Sequence, residues 1–152
     1  MVTQLRRLFA YEFEMTEKVI GAVERAGDCE HAKEARRQAA HIIAGRACWL
    51  ERIDKGNSDH VDMWPDKLIR QIRDMDLATQ LRLQIILSNM DDTYLRLRLR
   101  YRSHEGENCE RSMHDILMHM VLHSAFHRGY VNTSLKACGR PAVNSDYIVW
   151  AD

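Results

Sequence analysis

The chain has 152 residues, 45% of them hydrophobic and 29% charged, which is the balance of an ordinary single domain long enough to bury a proper core. Lys plus Arg and Asp plus Glu number 22 each, so no global charge draws the protein to nucleic acid, to an anionic membrane or to acidic ligands, and partner choice falls to a local site. The first 15 residues break their apolar positions with charge every few places, which predicts neither a secretory segment nor a bilayer span and points to the cytoplasm.

Leu5, Leu8, Phe9, Glu12, Met15, Val19, Ala22 and Val23 recur at helical spacing, predicting a first helix over 3–26 that Gly27 and Asp28 stop. Glu12 alone among its carboxylates falls on the apolar side. A second helix runs from Cys29 or Glu30 to Asp54, with the stripe Ala35, Ile42, Trp49 and Ile53 and with His41 at its edge. Gly45 lies one turn on from His41; a glycine inside a helix costs up to about 1 kcal/mol relative to Ala, which close packing or a bound molecule explains.

From Gly56 to Asp76 the pattern is irregular, with a turn at Trp64-Pro65-Asp66 and at most a short helix over Lys67 to Arg73, so this reads as a long connection crossing one end of a bundle. His60 reads there as a loop residue. A third helix is predicted over Asp76 to Thr93, with Leu77, Leu81, Ile85 and Met90 buried. The strict alternation from Tyr94 to Arg102 then predicts a strand with one apolar and one basic face, and Glu105-Gly106-Glu107-Asn108 a turn, giving a small hairpin over 95–111. Its arginine row lacks interleaved aromatic residues and reads as a solvated edge.

Ser112 with Asp115 resembles a capping box and opens the fourth helix, Ser112 to Lys136. Along it His119, His123 and His127 recur every fourth residue, each step about 40° round the axis, so all three share one side. Eight histidines in 152 positions give such an overlapping triple by chance only about 0.02 times. Ile116, Met120, Phe126, Val131 and Leu135 are close to that side, so the histidines face inward, where each ring needs a partner. His119 and His127 stand about 12 Å apart along the axis and cannot share an ion; either His119 with His123 or His123 with His127 is the ligand pair. The tail 146–150 is apolar enough to pack back onto the helices. Cys29, Cys48, Cys109 and Cys138 are scattered without a C-x-x-C pair and read as reduced, structural thiols.

These elements predict an all-α fold, a four-helix bundle with a long crossover and a small β-hairpin before the last helix, and bundles build metal sites from side chains on facing helices. His41 supplies the third imidazole. Three nitrogen ligands with a position left open suit zinc, nickel, iron or copper better than magnesium or calcium.

The run from Ile116 to Gly129, with Cys138-Gly139-Arg140-Pro141 and Asp146-Tyr147-Ile148 after it, resembles the C-terminal signature of the DinB superfamily of DinB/YfiT-like metalloenzymes. His41-Ile42-Ile43 with Trp49-Leu50-Glu51-Arg52-Ile53 is similar to that family's second-helix motif. Tyr130 stands where the family often has Gln after HRG, and the first helix lacks the Trp-Ala-Asn turn often seen.

The resemblance implies an up-down-down-up bundle, a homodimer, and a divalent metal, zinc or nickel first and iron or manganese next, held by His41, His123 and His127. His119 is then a core or supporting residue, Arg128 a structural ion-pair partner, and Tyr130 a packed aromatic or a hydrogen-bond donor to an open-site ligand. Relatives imply thiol-dependent transfer on a small-molecule substrate, with hydrolysis or a non-catalytic metal-binding role in stress response as alternatives. Glu12 is the only base on offer. A purely structural bundle predicts no metal.

Overall fold

A computed structural model describes residues 1–151. Four long helices dominate it: α1 (Val2–Ala26), α2 (Ala32–Lys55), α3 (Ile69–Asn89) and α5 (Met113–Ala137); the short α4 (Asp92–Arg96) and α6 (Tyr147–Trp150) complete the helical elements. The closest pairing is α2 with α5, and α1 packs on both and on α3. Among the described residues no helix is long and apolar enough to cross a membrane.

Several boundaries have a local cause. The αL conformation of Gly56, φ 76°, lets its N–H reach back to the Arg52 carbonyl at 2.8 Å and closes α2, a geometry that costs glycine nothing. Ser112 accepts the Asp115 N–H at 3.1 Å and starts α5. Asp91 caps α4 by accepting from Tyr94 N at 2.7 Å.

The hairpin forms where alternation placed it, as antiparallel strands β1 (Arg98–Arg102) and β2 (Asn108–Ser112), with Arg100 opposite Glu110. Residues 95 and 96 belong to α4 instead. Leu99 and Tyr101 are half-buried, while Arg98 and Arg100 lie exposed and share Glu110 at 3.1 and 3.0 Å, a solvated basic edge.

The third helix departs from expectation. It starts seven residues earlier, at Ile69, and ends at Asn89, so the region over 67–73 is the first part of a long helix. Leu77, Leu81 and Ile85 are 60, 53 and 64% exposed. The buried stripe is Ile72, Asp76, Thr79, Leu83 and Leu87, an equally regular spacing whose middle positions are polar. Arg46 on α2 explains them, bonding Asp76 at 2.5 Å and Thr79 at 3.2 Å.

The tail packs back as expected: the Tyr147 and Trp150 rings meet Tyr11 with centroids 5.3 and 5.6 Å apart, and Trp150 Nε1 donates to Glu14 at 2.7 Å. Ile148 and Val149 point away, 74 and 59% exposed.

One cysteine expectation is overturned. Cys29 and Cys138 form a disulfide, with Cα atoms 5.7 Å apart and a sequence separation of 109; Cys48 and Cys109 are free thiols. The bond ties the turn before α2 to the end of α5. Closing so long a loop restricts the unfolded chain, and reduction or Cys138→Ser is expected to lower stability by about 2–4 kcal/mol. At about 2–4 °C per kcal/mol for a domain of this size, the midpoint of thermal unfolding falls by about 4–16 °C, measurable with and without reductant.

Candidate metal centre

α2 and α5 face each other closely enough to bring His41, His123 and His127 together, with one ring nitrogen from each lying within 4.8 Å of the others. His41 Nε2 is 3.2 Å from His123 Nε2. Two nitrogens at about 2.0–2.1 Å from one tetrahedral ion stand about 3.3–3.4 Å apart, so this spacing fits a shared metal. His41 and His127 are buried and His123 is half-buried. No fourth side chain joins the group among the described residues.

Two rings are fixed from behind. His41 Nδ1–H donates to the Met63 carbonyl at 2.6 Å, and His127 Nδ1–H donates to Gln38 Oε1 at 2.8 Å. Gln38 is in turn oriented by donating from Nε2 to Glu34 at 2.6 Å. Each bond leaves the Nε2 lone pair free, which is how metal-binding histidines are held. Trp64 stacks flat on His41, with centroids 3.7 Å apart and planes 8° apart, and the Arg37 guanidinium lies 4.0 Å from the Trp64 centroid.

The electrostatics keep the rings neutral. Desolvation, and then the neighbouring histidines, push the pKa of His123 down to about 3. Desolvation and His41 bring His127 to about 4. Burial also lowers His41, against the raising effect of its bond to Met63. At neutral pH the lone pairs are therefore available to a cation rather than to protons.

Gly45 has a specific cause. An ideal Cβ there would lie 2.9 Å from His123 Cε1, so the missing side chain admits the imidazole as α2 and α5 pack closely. Gly45→Ala is expected to leave the unfolding midpoint unchanged or slightly raised, since Ala favours helix by about 1 kcal/mol. It displaces His123, and metal affinity measured by chelator competition falls by about 10–100-fold, the loss typical of disturbing a ligand's support.

Other candidates are placed differently. His119 is exposed and packs edge-on to Trp49, with centroids 5.5 Å apart. Phe126, read as inward-facing, is 61% exposed because it lies round the helix from the buried Ile116 and Val131. Tyr130 is 49% exposed and packs on Phe126, its ring centroid 6.1 Å from that of His127. His60 is an exposed loop residue, as read, with Nε2 3.2 Å from Glu51.

Arg128 is a structural ion-pair partner, fully buried against Glu12. Glu12 Oε2 is taken by Arg128, and Oε1 accepts from Thr16 at 3.0 Å and Arg46 at 3.5 Å. That carboxylate is committed and serves no substrate as a base. The sequence reading missed Gln38, Met63 and Trp64. Gln38 carried a signal, a polar residue three places before His41 on the buried side of α2, whereas a carbonyl acceptor such as that of Met63 has no residue signature.

No protein of curated function matches the chain. A family model described as the DinB family matches residues 22–152, the span that holds all three clustered histidines. With most of its length under that match, the chain belongs to the DinB family.

Proposed function

We propose that His41, His123 and His127 hold one divalent metal ion, zinc or nickel in preference to iron or manganese, and that the centre serves a small-thiol-dependent S-transferase. The observation that carries the reading is the group of three neutral imidazoles with no fourth ligand among the described residues, the arrangement of a catalytic rather than a closed site. When bound, the ion lowers the pKa of a coordinated thiol from its ordinary value of about 8.5 and supplies a nucleophile at neutral pH.

The protein's own residues position and shield. Met63 and Gln38 fix two rings, and Trp64 keeps water from one face of His41. Exposed Phe126 and Tyr130 beside His127 offer an aromatic rim to a small substrate. Among the described residues no carboxylate joins the group to act as base, which favours a readily ionised thiol over water.

The proposed helix directions are up-down-down-up, with the long 57–68 connection making α2 and α3 parallel. The proposed assembly is a homodimer through Leu77, Leu81 and Ile85, an apolar stripe otherwise left in water. Light scattering should give twice the chain mass, and that of Leu81→Glu the chain mass.

Elemental analysis of protein purified without tag or chelator tests the centre, with about one equivalent of metal per chain expected. The metal-loaded protein should then conjugate a small thiol to 1-chloro-2,4-dinitrobenzene, releasing chloride and a proton. Ester cleavage without thiol would reassign it as a hydrolase, and bound metal with neither activity as a non-catalytic metal protein.

A further inference from the structure

Beside the three histidines, enclosed by α2, α5 and the turn of the hairpin, lies a cavity of about 160 Å3 whose wall includes Gly45, Cys48, Arg52, His104, His119 and His123. One water needs about 10–15 Å3 on this measure, so the space takes a small organic group. His104 and His119 are exposed, whereas Cys48 and Arg52 are 2 and 6% exposed. His123 belongs both to this wall and to the metal centre.

Arg52 is a buried cation without a counter-ion among the described residues. Its guanidinium lies 4.7 and 4.8 Å from the ring centroids of Trp49 and Tyr101, its Nε has no hydrogen-bond partner, and among the described residues no carboxylate pairs with it. The adjacent carboxylate, Glu51, turns instead to Lys55 at 2.7 Å and Arg82 at 2.9 Å. The other deeply buried arginines are matched, Arg46 by Asp76 and Arg128 by Glu12. Aromatic faces attract a guanidinium but do not satisfy its five N–H donors, and burying it unpaired is costly. A carboxylate presents two oxygens in the geometry of that fork.

We propose that this cavity binds the carboxylate of the thiol substrate against Arg52, with the remainder of the molecule directed to His123 and the metal centre. The inference rests on the metal and thiol reading above and narrows its substrate class to carboxylate-bearing small thiols. Arg52 is a specificity residue, acting on affinity for one class of thiol.

The test is a titration of cobalt(II)-loaded protein with mercaptoacetate and with 2-mercaptoethanol, read by thiolate-to-cobalt absorption. Metal-free protein is titrated with both by calorimetry. Wild type should bind mercaptoacetate at least about tenfold more tightly, about 1.4 kcal/mol. Arg52→Gln should abolish that margin and leave 2-mercaptoethanol binding unchanged.

Equal affinities in wild type overturn the proposal, as does equal weakening of both thiols by Arg52→Gln. A margin that survives in Arg52→Gln is chelation by the probe and also overturns it. If that variant fails to fold, Arg52→Lys carries the comparison, with a narrowed margin expected and an unchanged one overturning. Failure to take up cobalt overturns the metal reading instead. The cavity is then decided by metal-free protein, where binding of mercaptoacetate alone supports it, and binding of neither or of both equally overturns it.

Discussion

His123→Ala is expected to lose stoichiometric metal while remaining folded. Its ring touches both others in the cluster, with centroids 4.9 Å from His41 and 4.4 Å from His127, so its removal leaves two ligands where an open catalytic site needs three. Among the described residues it makes no hydrogen bond outside the histidines, so truncation strands no other buried polar group there. Elemental analysis after dialysis against trace metal should show about one equivalent in wild type and a small fraction of that in the variant. His119→Ala is the control and should retain the metal, because that ring lies outside the group. Full retention by His123→Ala, with circular dichroism unchanged, would place the metal elsewhere.

Glu12→Ala should produce the largest loss of stability. The Glu12 carboxylate is 1% exposed and joins Arg128, 0% exposed, to Arg46, which in turn holds Asp76 on α3. Removing one member of a buried ion pair typically costs about 3–5 kcal/mol, because the remaining charge stays buried without compensation. For a domain of this size the unfolding midpoint should drop by about 6–20 °C. The double variant Glu12→Leu with Arg128→Met removes both charges and should recover much of that loss, since apolar replacement of a whole buried pair is often neutral. Below its unfolding temperature Glu12→Ala should still bind metal, which separates this scaffold from the histidine centre.

The fold was legible in the sequence where burial is apolar. The stripes of α1 and α2 and the alternation through Leu99 and Tyr101 mark their own elements, and the i,i+4 repeat of His119, His123 and His127 marks the helix face of the cluster without choosing between its two adjacent pairs. α3 was misread because Asp76 and Thr79 occupy its core face, leaving Leu77, Leu81 and Ile85 as the conspicuous apolar series. Periodicity in hydrophobicity cannot identify a buried face whose central contact is an ion pair with Arg46.

The Cys29–Cys138 bond was hidden for another reason. Only the folded arrangement of the helix ends brings residues 109 apart together, and neither cysteine sits in a local motif. Similarly, the support of His41 comes from an irregular segment whose carbonyl any residue could supply.

The disulfide and the histidine cluster fasten the same two rods. Cys29 precedes α2 and Cys138 caps α5, while His41 and the pair His123 and His127 meet farther along those helices. With metal bound, α2 and α5 are clamped at two heights, whereas α3 is held by packing, the buried Asp76–Arg46 pair and surface ion pairs of Arg73 and Arg82. The molecule therefore has a fixed spine and a looser flank, and amide protons of α3 should exchange before those at the α2–α5 seam.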